Sequence, residues 1–310
     1  MSLAFVGLTF GQEEATFNVT GSVDAYFRAN LTAANDPGAG DLSIFNNDSG
    51  FSAGLANVTF SYEGETVGFI ADLGYGPRMD AWNGGDVVNE AYMYWNASDK
   101  VMLMMGRFNS WMGYERVSAA NNFHYSMSHM FSYSARNFNG LVAQFDLGTD
   151  LRGGVGVMNP VNQVYGNDGD YSIAAGFTYK GKTGLSYTSS GDISYIDFKT
   201  AFDVSDNFDV KLNAHIADFD GSGFTSISAY PQLKSSDTFS WGMRLEYMML
   251  DDDDDTTVFT PTLTGRYSVG ALTIIPELRM DSASEDLFLD NDGEATGGLT
   301  AFNLAMVYTF

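Results

Sequence analysis

The chain has 310 residues, with 34 Gly, 24 Phe and 17 Tyr beside only 6 Pro and 0 Cys, a mixture that suits many short strands joined by tight turns. A formal net charge of −24 with no Lys/Arg cluster argues against nucleic acid as a partner, and the lack of cysteine removes disulfides, thiolate zinc sites and Cys nucleophiles together. No apolar run approaches the ~20 residues that a membrane-spanning helix needs, so a membrane crossing here would have to be made by strands.

In chain order, Met1 and the apolar run after it give way to acidic residues at Glu13. Residues 1–12 are therefore expected to be the remnant of a secretory signal peptide, with 13–310 as a single barrel domain. Strands are predicted at 16–31, 51–63, 66–76, 87–98, 100–109, 137–147, 151–160 and 171–181. They continue at 183–190, 193–204, 208–219, 223–234, 238–250, 257–269, 272–283 and 300–310. The clearest alternation is in the later strands: Phe239, Trp241, Met243, Leu245, Tyr247 and Met249 interleave with Ser240, Gly242, Arg244 and Glu246. Leu272, Ile274, Pro276, Leu278 and Met280 likewise interleave with Thr273, Ile275, Glu277, Arg279 and Asp281. A single such strand would also suit a soluble sandwich, but its repetition along nearly the whole chain favours a barrel in lipid.

The connections give an independent test. Those near 63–66, 97–100, 148–150, 180–182, 204–207, 235–237 and 269–271 are short and turn-like. Those at 32–50, 77–86, 110–136, 161–170, 251–256 and 284–299 are longer, and mostly rich in Asp, Asn and Gly. Short and long connections alternate as in an outer-membrane barrel, provided the weak segment 223–234 counts as a strand with Ile227, Ala229, Pro231 and Leu233 outward. The expected fold is all-β: a transmembrane, antiparallel, up-and-down β-barrel of 16 strands, with 14 or 18 as the neighbouring alternatives.

Several segments resemble the OmpL-like porins, the putative β-barrel porin-2 family. They are Gly21–Phe27 (GSVDAYF), Asn89–Trp95 (NEAYMYW), Met105–Glu115 (MGRFNSWMGYE), Arg244–Tyr247 (RLEY), Pro276–Asp281 (PELRMD) and Val307–Phe310 (VYTF), in this order over almost the whole chain. The resemblance implies one barrel domain and a channel role, and carries over no catalytic residues. The five-Asp run 251–255 and the sparse strand 223–234 depart from the family's pattern.

A closed barrel of this width leaves a water-filled interior. The dyad sends Asp24, Arg28, Glu90, Arg107, Asp197, Lys199, Arg244, Glu246, Arg266, Glu277, Arg279 and Asp281 to that interior. Arg244, Arg266 and Arg279 could form a basic ladder that sets ion preference, or these charges could be paired wall residues. The longest connection, 110–136, carries Tyr114, Glu115, Arg116, Tyr125 and Arg136 with few acids, which suits a loop packed inward as a constriction. His124, Met127, His129 and Met130 within it form a soft-ligand set, weighed as a metal site against plain loop packing.

No nucleophile and base pair is evident and no cofactor is implied, so an enzyme is not expected. The sequence reads as a porin of the bacterial outer membrane passing small hydrophilic solutes. The alternative is a plugged barrel acting as partner or anchor in a larger assembly. Expected partners are outer-membrane lipid and lipopolysaccharide, the assembly machinery through the C-terminal Phe310, and, as an open question, further copies of the chain.

Overall fold

A computed structural model describes residues 16–35, 48–163, 165–167 and 169–310. The expected leader remnant, and most of the first long connection, lie outside the described residues. Sixteen antiparallel strands close into one barrel: β1 (Thr16–Asn30), β2 (Gly50–Glu63), β3 (Val67–Tyr75), β4 (Val88–Ser98), β5 (Val101–Asn109), β6 (Asn137–Asp146), β7 (Leu151–Met158) and β8 (Ser172–Tyr179), then β9 (Thr183–Ser190), β10 (Ile193–Ser205), β11 (Phe208–Phe219), β12 (Gly223–Lys234), β13 (Phe239–Asp251), β14 (Thr257–Val269), β15 (Leu272–Ala283) and β18 (Gly298–Thr309). A two-stranded ribbon, β16 (Phe288–Leu289) with β17 (Ala295–Thr296), sits in the last long connection. Each strand pairs with its neighbour in sequence, and β1 closes the ring against β18 from Ser22↔Thr309 to Asn30↔Ala301. Closure leaves no unpaired sheet edge in lipid.

The sequence period sets which face looks outward. Trp95, Tyr179, Phe202, Phe239, Tyr267 and Tyr308 all lie exposed near the end that carries the short turns, as an aromatic girdle at one membrane interface. Turn chemistry sits at that same end. Lys180 and Gly181 both adopt positive φ, 52° and 66°, the backbone of a tight hairpin whose twist matches the flanking strands. The weak segment 223–234 is a full strand, β12, paired on both sides. Beside its outward Pro231, which has no N–H to give, the ladder to β13 skips from Ala229↔Leu245 to Gln232↔Gly242.

The connection 77–86 departs from expectation. It is not a plain outer loop but begins with a short helix, α1 (Pro77–Asn83), whose Arg78, Met79 and Trp82 are buried. The connection 110–136 also contains a helical turn, α2 (His129–Tyr133).

Candidate pore and inward loop

The connection from β5 to β6 lies inside the barrel. Its backbone is bonded to charges on the inner wall, strand by strand. On β10, Lys199 donates to the Trp111 and Gly113 carbonyls (2.7 and 3.1 Å), while Asp197 accepts from the Gly113 N–H at 3.1 Å. On β13, Arg244 is fully buried and donates to the Ser126 and Met127 carbonyls, and it pairs with Glu115 of the loop at 2.7 Å. Two residues along, Glu246 accepts from the His129 and Met130 N–H groups at 2.9 and 2.7 Å, the open first turn of α2. These donors have no partner within the helix, and a carboxylate there also suits the helix dipole.

The next strands repeat the arrangement. On β14, Arg266 donates to the Asn122 and Phe123 carbonyls at 2.6 and 3.0 Å. On β15, Glu277 accepts from the Tyr125 and Ser126 N–H groups, and Arg279 reaches the Met127 carbonyl at 2.6 Å. Asp24 of β1 accepts from the Tyr125 hydroxyl at 2.5 Å, and Arg78 of α1 donates to the carbonyls of Val117 and Tyr125 from the other side. A loop in a barrel interior carries polar backbone groups that would cost about 1–3 kcal/mol each if left unmet. The wall charges meet them.

Most of the predicted inner residues thus face the lumen, but the basic ladder is spent on loop carbonyls. Arg28 is buried on the inner face, donating to Asn30, and Glu90 accepts from the Asn109 N–H. Arg107 is a correction. It stands opposite Ala91 and Asn139, one step out of phase with the inward Tyr92–Gly106–Gly140 row, so it points outward and pairs with Asp86 at 2.6 Å under Tyr165. β5 reads VMLMMGRFN, apolar on both faces, so alternation alone gave no phase there.

Of the predicted constriction residues, Tyr114 packs edge-on against Tyr230, with Lys199 and Lys211 each 5.9 Å from its ring. The Arg116 guanidinium bonds the Glu115 carbonyl, and Arg136, at the loop's end, donates to the Ala81 carbonyl. The members of the soft-ligand set each have other contacts. The His129 ring sits against both Asp281 (2.7 Å) and the Arg279 guanidinium (2.8 Å), and His124 Nδ1 is 2.7 Å from the Thr264 hydroxyl. Met127 accepts from Asn122, and Met130 joins an apolar cluster. Burial, with Arg244 and Arg266 close by, holds the His124 ring well below its ordinary imidazole value, so it is uncharged at neutral pH.

That apolar cluster was not foreseen. Met104, Phe108, Phe138, Met158, Tyr195, Phe224 and Met248 point inward from six strands and pack with Met112 and Met130 of the loop. The inward Phe and Met residues at the outer ends of these strands were its sequence signal, since a watery wall would have been polar.

Below the cluster, towards the short turns, lies an open vestibule of about 1110 Å3. Its wall on β7, β8 and β9 is made mostly of small residues in two rows, Gly154–Gly176–Ser186 and Arg152–Thr178–Gly184. Trp111 of the loop and Lys199 complete the lining.

Residues 16–310 match the sequence profile of the family described as "Putative beta-barrel porin-2, OmpL-like". The chain belongs to that family. It is a porin channel of the bacterial outer membrane. In structure this porin is similar to the outer membrane channel DcaP of Acinetobacter baumannii, with a TM-score of 0.65 at 15% identity, covering 97% of this chain and 99% of that chain. A loop L8 deletion mutant of OmpT from Vibrio cholerae gives 0.63 at 11% identity, over 96% and 100% of the two chains. An anion-selective porin from Comamonas acidovorans gives 0.62 at 11%, again over 96% and 100%. At such identities the likeness speaks to the fold. No curated protein matches the chain in sequence.

Proposed function

We propose that this porin passes small hydrophilic solutes along the small-residue wall of β7, β8 and β9, with the inward connection 110–136 as its constriction. The observation that carries the reading is the vestibule. A space of about 1110 Å3 opens among the short turns at Asp99–Lys100, Gly148–Asp150 and Lys180–Gly181 and ends against Trp111 of the loop. Its lining mixes Asp146, Arg152, Lys199, Gln144 and Thr178, a surface that keeps a path hydrated. The activity follows from a shaped, wetted space, and no catalytic group or cofactor enters it.

The test is planar-bilayer conductance of the refolded barrel, compared with a variant in which residues 112–134 are shortened. Discrete steps that grow in the shortened variant support the reading. A folded, heat-modifiable barrel that conducts only after shortening supports instead the plugged anchor, which the apolar cluster favours. Lipopolysaccharide at the long connections, recognition of Phe310 by the assembly machinery and a homo-oligomer belong to the same proposal. For the last, one OmpT structure from Vibrio cholerae is a trimer form, and an outward apolar groove here is lined by Phe69, Met93, Trp95 and Met105.

A further inference from the structure

Beside the vestibule, and sharing Thr178, Gly181 and Lys199 with it, lies a second and smaller pocket of about 290 Å3. Its charge is opposite to that of the chain. Four cations line it, Arg116, Lys182, Lys199 and Lys211, against one acid, Glu115, in a protein of net charge −24. Glu115 is already taken by Arg244 and the Ser128 N–H. Lys199 is engaged with the loop carbonyls.

Lys211 is different. Among the described residues its ammonium makes no ion pair or hydrogen bond, and it lies 5.9 Å from the Tyr114 ring. Pairing of Lys211 with Tyr230 across the β11–β12 ladder fixes both on the inner face, and Tyr230 packs against Tyr114. Lys182 is paired with Asp203, which leaves Lys211 as the cation free to meet a ligand, and the pocket combines this excess of positive charge with flat ring surfaces. The buried Tyr114 hydroxyl has no hydrogen-bond partner among the described residues, which leaves an unmet polar group in the same wall.

We infer that this pocket is a binding subsite for a small organic anion with a flat carbon body, a carboxylate of about benzoate size. The loop side of the subsite is Tyr114 and Arg116; the barrel side is Lys199, Lys211 and Tyr230. A solute arriving from the vestibule would exchange water for ammonium contacts at one end and ring contacts along its body. The inference rests on the pore reading only for its route of access.

The experiment is block of the KCl current of the full chain in a planar bilayer by benzoate, added on the side of the short turns. We expect concentration-dependent block, with a half-blocking concentration about fivefold higher in Lys211→Gln than in the parent. Lys211→Arg should behave as the parent, and neutral benzamide and inorganic phosphate should block far more weakly than benzoate. Equal block of the parent and Lys211→Gln, or equal block by benzamide, overturns the subsite. If the folded barrel carries no KCl current, the pore reading fails by itself. Titration of its tryptophan fluorescence with benzoate in detergent then decides the pocket: saturation weakened by Lys211→Gln supports it, and no saturation overturns it.

Discussion

Two stretches of the same inner wall have opposite characters. Across β13, β14 and β15 it carries Arg244, Glu246, Arg266, Glu277, Arg279 and Asp281, nearly all buried under the inward loop. Across β7, β8 and β9 it carries mostly Gly, Ala, Ser and Thr, and its part nearer the short turns borders open space. On the proposed reading, the difference is how a wide barrel makes a narrow path. Charges on one side hold a loop by its backbone, and small side chains on the other leave room for what the loop does not fill. Neither wall would do this alone, because an unheld loop would leave the interior wide and a bulky opposite wall would close it.

The comparison can be broken most severely by removing the loop. Shortening residues 112–134 should raise single-channel conductance several-fold in planar bilayers, while gel mobility remains heat-modifiable because the strands pair without the loop. An unchanged conductance would show that the constriction is elsewhere. The reverse manipulation fills the open wall. Gly154→Phe should cut conductance by about half or more, since a Cβ there meets nothing closer than 3.4 Å and the ring would extend into the vestibule.

A smaller effect is expected from loosening one anchor. Arg244→Ala leaves Glu115 buried without its partner and frees two loop carbonyls, a loss of about 3–5 kcal/mol for a buried pair. The loop should become cleavable by protease in intact barrels and the current noisier, with strand content unchanged by circular dichroism. Protection equal to the parent's would count against the anchoring role. The smallest effect sharpens the phase of β5. Arg107→Ala, on the outward side, should leave ion selectivity unaltered in a reversal-potential measurement, whereas a pore-lining arginine would shift it.

The strands were legible in detail. Their ends were read to within about two residues, and even β12 could be recovered from the alternation of short and long connections. That legibility has a local cause, since lipid demands an apolar residue at every second position and hairpins demand particular turn residues. Where the local signal vanished, so did the reading. β5 is apolar on both faces, and Arg107 was assigned to the wrong one. What the inner charges bond was not legible, because Glu277 meets the Tyr125 N–H 152 positions away in the chain and nothing in the strand reports that distance.

The sequence by itself determined a sixteen-stranded barrel, its outward face and the site of its longest loop, because period-two patterning and turn chemistry act between near neighbours. Only the tertiary structure decided that the loop enters the barrel, that α1 supports it through Arg78, and that the basic ladder serves its carbonyls. Closing the ring brings β1, β10 and β13–β15 around one segment. Whether a charge there lines water or satisfies a buried backbone depends on what occupies the interior.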